Sequence, residues 1–160
     1  MTSLQLYTND DFFYNSRLVG INTQLEDYTI SSILNKTLNL EFVRATENSI
    51  ISHFHPKPKL TGSLFEQLEV DTPNTIAIEF PLFKHTPHFS STHMYLYNNR
   101  VNGYYLLDDY KNGELLLLIK NPELLLFEWD ILELLRRIKG INSAIELHLS
   151  KLKFKQNLLL

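Results

Sequence analysis

An α+β fold is what the sequence predicts: a two-layer sandwich in which a mixed or antiparallel sheet carries two main helices, at about 24–37 and 122–139, on one face. Three observations carry that reading. Strand-like and helix-like stretches follow in the order strand, helix, strand, several strands, helix, strand. Both helical stretches hold apolar residues at helical spacing, so each can lay one stripe on a sheet. The chain has 160 residues, 44% hydrophobic and 12% aromatic, which is one domain's length with material for one core. Residues 1–160 are therefore read as a single domain. A ferredoxin-like βαββαβ core with an inserted hairpin is one drawing of this order.

RLVGINT at 17–23 reads as a short buried strand. Thr23-Gln24-Leu25-Glu26 has the form of a capping box, and Ile30, Ile33, Leu34 and Leu38 then recur at helical spacing. NLEFVR at 39–44 reads as a strand with Leu40 and Phe42 on one face. Residues 46–75 hold two prolines in HFHPKPKLTG that forbid a helix, and give no further assignment. TIAIEFPLF at 75–83 and HMYLYNN at 93–99 read as strands joined by a loop.

Asn112-Gly113 signals a two-residue hairpin turn, in which both central residues take positive φ. A hairpin over 103–120 with Lys111 opposite Glu114 puts Tyr104, Leu106, Leu115, Leu117 and Ile119 on one face, with Asp108 among them. Asp109, Lys111, Glu114 and Lys120 then form a mixed-charge solvent face. Asn121-Pro122-Glu123 reads as the start of the second helix, and Gly140 as its stop. Its core stripe is Leu124, Phe127, Ile131, Leu134, Leu135 and Ile138. AIELHL at 144–149 reads as the last strand, with Ile145, Leu147 and Leu149 inward, and the lysine-alternating tail SKLKFKQNLLL suits an exposed sheet edge.

Composition excludes several functions. The chain has no cysteine, which removes disulfides, thiolate catalysis, iron–sulfur clusters and cysteine-based zinc sites. A net charge of −3 supplies no field for nucleic acid or an anionic membrane. The N-terminal MTSLQLYTNDDFFYN lacks the basic-then-apolar form of a signal peptide, and LLLLI at 115–119 is too short to span a bilayer, so a soluble cytoplasmic protein is expected. No G-x-S-x-G elbow or glycine-rich phosphate loop is present.

The stretch DDFFYNSRLVGINTQLEDYTISSILNKTLNLEFVRA at 10–45 resembles the N-terminal part of the small bacterial proteins named IPExxxVDY after their signature. There too an aspartate–phenylalanine segment leads into a strand and then an "LEDY" helix ending in "LLNK". IKGINSAIELHLSKLKFKQNLLL is similar to that family's closing helix, strand and lysine-rich tail. In place of I-P-E this chain has Leu107-Asp108-Asp109, and in place of V-D-Y it has Gly113-Glu114-Leu115. Acids stand at Asp109 and Glu114, while the proline, valine and tyrosine are absent. The resemblance implies a bacterial cytoplasmic protein and brings no catalytic residue with it.

Three constellations remain. Asp108, Asp109 and Glu114 form an acid cluster, but neighbours in a strand point to opposite faces, so a charged hairpin end explains most of it. Asp108 on the apolar face is the odd residue: an edge residue, a partner of a buried tyrosine hydroxyl, or an acid of raised pKa. His53, His55, His85, His88 and His93 are gathered within 53–93, and His53-x-His55 would share a strand face. Without a helical pair or H-E-x-x-H these read as exposed loop histidines rather than a metal site. Leu125, Trp129 and Leu132 form a second apolar stripe nearly opposite the core stripe of the second helix, to be covered either by the tail after Ser150 or by another molecule.

The expected function is a non-enzymatic interaction or regulatory protein acting through that helix surface, on a protein partner or by self-association, with no cofactor, nucleic acid or membrane. The alternatives are a small-ligand-binding regulatory module and a metal-dependent hydrolase.

Overall fold

A computed structural model describes residues 12–47, 49–55, 75–122 and 130–158. Its centre is a six-stranded sheet in which every neighbouring pair is antiparallel. The strands are β1 (Ser16–Thr23), β2 (Val43–Arg44), β5 (Leu82–His85), β6 (His93–Asn98), β9 (Leu115–Lys120) and β10 (Ile141–Leu147). They lie side by side as β10-β1-β9-β6-β5-β2. Two hairpins stand apart: β3 (Ile50–Phe54) with β4 (Ile76–Phe80), and β7 (Arg100–Val101) with β8 (Tyr104–Tyr105).

The α+β class holds, with helices α1 (Asp27–Leu38) and α2 (Ile131–Arg137) on the same sheet face. Ile30, Leu34 and Leu38 of α1 and Ile131 and Leu135 of α2 pack there on Val19, Ile21, Leu96, Leu115, Leu117 and Ile119. The opposite face is buried as well. Leu18, Tyr97, Leu116 and Leu118 meet Phe13, the inward residues Ile78 and Phe80 of the β3–β4 hairpin, Leu106, Leu107 and Tyr110, and Leu158 of the tail. This second cover makes a third layer that helix counting does not reveal. The run Leu115–Ile119 reports it: a strand apolar at every position, not at alternate ones, is buried on both faces.

Several local expectations change. Thr23 does not close a capping box. Its hydroxyl accepts from Leu25 N–H (3.0 Å) and donates to Gly140 O (2.7 Å), and α1 begins after Glu26, whose side chain caps nothing. The stretch 75–83 is two strands, because Pro81 cannot continue a ladder and the halves join different sheets. The bound of β10 moves to Ile141, with a register shift beside Asn22 and Thr23; Ala144 faces the helices fully buried, and Ile145, expected inward, is 42% exposed. The tail is not a strand. It forms 3₁₀ turns at Leu149–Lys151 and Lys155–Leu158 on the face opposite the helices.

The second helix is described from Ile131 onward, and Asp130 is its N-cap: the carboxylate accepts from Leu132 N–H (3.1 Å) and Glu133 N–H (3.4 Å). The expected start at Asn121-Pro122 is therefore not the cap of this helix, and Asn121 instead takes a positive φ of 49°. Leu124, Leu125, Phe127 and Trp129 lie outside the described residues.

The hairpin expected over 103–120 is replaced by another. Asn102 (φ 51°) and Gly103 (φ 79°) form the two-residue turn, pairing Val101 with Tyr104 and Arg100 with Tyr105. Lys111 and Glu114 are not a strand pair. Residues 106–114 instead fold around the fully buried Asn99, whose Nδ2 donates to Tyr110 O (2.7 Å) and Gly113 O (2.9 Å), while its Oδ1 accepts from Leu107 N–H (2.9 Å). Gly113 is required there for space: a methyl group on it, or on Gly20 of β1, would collide with the Tyr110 ring.

Candidate functional site

The 106–114 segment carries the acids, and the Asn99 knot turns them away from one another. Asp108 is exposed and pairs with Lys111 Nζ at 2.8 Å. Asp109 is exposed and accepts from Phe154 N–H at 2.8 Å, pinning the tail. Glu114 meets Arg100 at 3.3 Å across the mouth of the β6–β9 connection. Each carboxylate has its own partner, and none shares a focus with another. Asp108 contacts no buried tyrosine hydroxyl.

The histidines do not converge on one point, although His85 on β5 and His93 on β6, both half-buried, stand near enough to interact electrostatically. His53 and His88 are exposed, as is His55. His85, on β5, is half-buried, and its Nδ1 accepts from Glu41 N–H at 3.0 Å. Burial pushes its pKa below the usual value, and the bond itself needs the neutral ring. Among the described residues no group of three or more histidine, aspartate or glutamate side chains could hold a metal ion. His53 and Asp108 do share one open groove of about 610 Å³, together with Ile51, Tyr105 and Phe154.

Of the proposed helix stripe, Leu132 alone is described. It is half-buried and packs on the molecule's own core beside α1 and α2. The tail cannot be its cover, since Leu149, Leu152 and Leu158 all lie on the other sheet face.

Two surfaces were not singled out from the sequence. The first is the sheet end where β1 begins and β9 finishes. Three loops are tied together there. Asn121 N–H donates to Asn15 O (2.9 Å), Thr92 Oγ1 donates to Asn121 O (2.7 Å), and Asn121 Nδ2 donates to Ser91 O (3.4 Å). From these loops project Phe89, at 104% exposure, and Tyr14, at 80%; the next most exposed large apolar residues, Val43 (66%), Tyr28 (63%) and Ile51 (61%), stand on β2, α1 and β3 instead. Lys120 Nζ sits 3.6 Å over the Phe12 ring at the same end, and burial holds its pKa down. Pro122 leaves the sheet here. Asp130 acts electrostatically on Arg17 and Glu146, a bidentate pair at 2.9 and 3.0 Å near the same end. Phe89 was legible as an aromatic in a polar loop, HTPHFSST; its complete exposure was not.

The second surface is at the opposite sheet end, a polar cavity of about 320 Å³ between the start of α1 and the ends of β1 and β6. Gln24, Glu26, Asp27, Asn98, Arg100 and Glu114 line it. Asn98 Nδ2 donates to Asp27 Oδ2 at 2.9 Å, which ties α1 to the sheet.

No protein-family model, curated protein or solved structure matches this chain. Among the described residues no helix is long and apolar enough to cross a membrane.

Proposed function

We propose that this chain is a non-enzymatic, cytoplasmic protein-interaction or regulatory protein, and that its contact surface is the sheet end bearing Tyr14 and Phe89. The observation that carries the reading is that the two most exposed large apolar side chains of the described residues rise from loops bonded to one another. Exposed aromatics held on a braced platform are what a protein contact needs, because little ordering is left to be lost on binding. Leu132 is no part of this surface, being spent on the core. A protein partner or a second copy is the expected occupant.

The scaffold of this reading is a ferredoxin-like core, β1-α1-β6-β9-α2-β10, with β2 to β5 inserted between α1 and β6. Supporting it are the neighbour order β10-β1-β9-β6, the antiparallel pairing throughout and the two helices on one face. We also read the chain as a divergent IPExxxVDY relative. In that reading the signature positions serve the fold, since Leu107 and Gly113 both bond to Asn99.

The test is retention of partners by the immobilised full chain, compared with the Tyr14→Ser/Phe89→Ser double variant. Wild type is expected to hold a partner stoichiometrically or to self-associate, and the variant to lose this with its melting temperature unchanged. Equal behaviour of the two proteins sinks the proposal. A second reading, a small-ligand regulatory module, is favoured by the 320 Å³ polar cavity at the other end, where Arg100 and the acids Glu26, Asp27 and Glu114 offer both charges. It predicts ligand-induced thermal stabilisation that Asn98→Ala abolishes.

A further inference from the structure

The six-stranded sheet has two edges of unequal kind. At one end β2 is only Val43–Arg44, too short to template another strand. At the other, β10 runs for seven residues, Ile141–Leu147, with neither proline nor lysine to blunt it. Which of its main-chain groups face outward follows from the register. Ala144 stands opposite Ile21, and the Ile21 carbonyl accepts from Glu114 N–H on the far side of β1. Ile21 and Ala144 are therefore a non-hydrogen-bonded pair, and the main-chain groups of Ala144 and Glu146 point away from the sheet. The Ala144 carbonyl is not left open: Arg136 of α2 reaches over the edge and donates to it from Nε at 3.1 Å and Nη2 at 2.9 Å.

We propose that the outer edge of β10 is a strand-pairing surface for a second copy of this chain, and that Arg136 is the latch that keeps it shut. The second copy is singled out by the side chains. Ile145 is the one large exposed apolar residue of β10, at 42% exposure. An antiparallel pair with its two-fold axis at Ile145 buries this side chain against its own copy, in the close spacing of a non-hydrogen-bonded pair. The same axis sets Ala144 of each chain opposite Glu146 of the other, so the Glu146 N–H of one meets the Ala144 carbonyl of the other. That carbonyl is the one Arg136 holds. Arg136 and the second copy compete for a single acceptor, and an isologous contact doubles the effect because each chain has its own latch. This surface is separate from the aromatic sheet end and stands without it.

Sedimentation velocity of the full chain from micromolar to several hundred micromolar decides the matter. Arg136→Ala is expected to tighten dimerisation by about tenfold or more relative to wild type. Adding Ile145→Lys to it is expected to restore the monomer. Unchanged sedimentation of Arg136→Ala, or a dimer that persists with Ile145→Lys, overturns the proposal. Should Arg136→Ala fail to fold, Arg136→Met keeps an unbranched apolar stem, has no donor for the Ala144 carbonyl and is read the same way. A second measurement uses the absence of cysteine. Ile145→Cys is expected to give a disulfide-linked dimer on mild oxidation, because a non-hydrogen-bonded antiparallel pair brings Cα atoms within bridging distance, and faster when Arg136→Ala is added. Failure to cross-link in either background also overturns it.

Discussion

Asn99 concentrates more of the fold in one side chain than any residue the sequence pointed to. It is wholly buried, and its amide satisfies two carbonyls and one N–H of the segment that follows β8. Asn99→Ala leaves three buried groups without partners, each costing roughly 1–3 kcal/mol, so a stability loss on the order of 3 kcal/mol or more is expected. Urea unfolding reads it as a lower midpoint. Asn99→Asp should be no rescue, because a carboxylate would face the Tyr110 and Gly113 carbonyls. His85 is the other residue with a measurable signature. Its folded pKa lies below the 6.5 of a free imidazole because burial disfavours the charged ring. As pH falls below about 6.5 the unfolded chain takes up the proton first, so stability drops until the pH passes the folded value and then levels. Glu41, whose N–H bonds the ring, and His93, whose charge opposes protonation, are the groups that face it. His85→Asn keeps an acceptor without the titration. The difference in melting temperature between pH 7.5 and pH 5.5 is therefore expected to be smaller in this variant than in wild type.

At the scale of elements, what was legible was periodicity, and what was not was the choice between equal local signals. β1, α1 and β6 stand close to where their apolar spacing put them, and Leu115, Leu117 and Ile119 share the helix face as alternation requires. Two Asn-Gly pairs, however, offered the same turn. Asn102-Gly103 won because two short strands flank it, whereas Asn112-Gly113 is claimed by Asn99 and by the ring of Tyr110. No local rule sees a buried amide arriving from the end of another strand. Pro81 is a readable exception, since a proline inside an apolar run argues against one continuous strand. Likewise Asp130-Ile131-Leu132-Glu133 is an N-cap followed by an acid at the third position, a signal in plain view that apolar periodicity on either side had masked. The candidate site fared worse for a related reason. Exposure is decided by what the remaining chain leaves uncovered, and nothing in HTPHFSST says that Phe89 will stand clear of everything.

Across the whole molecule, the tail is a structural wall of the second layer and not an edge decoration. Leu149, Leu152 and Leu158 pack on it, Tyr97 Oη donates to Leu158 O at 2.9 Å from a buried ring, and Asn157 Nδ2 donates to Leu106 O at 2.8 Å. Burial pushes the Tyr97 phenol far above its usual pKa, so it stays a donor at any ordinary pH. Removing residues 151–160 uncovers apolar area that the sheet cannot repack. We expect a fall in melting temperature of about 10 °C or more, with binding of a hydrophobic dye to the native state. Unaltered melting would show that the wall is dispensable. The placement of β1 between β9 and β10 has a further consequence, in time rather than in space. Both strands that flank it are synthesised long after it, and no neighbour in sequence can stand in for them. While the ribosome is still adding the inserted strands, Leu18, Val19 and Ile21 have no sheet to enter, so β1 emerges early and folds late. The nascent chain is at its most vulnerable to wrong strand partners in that interval.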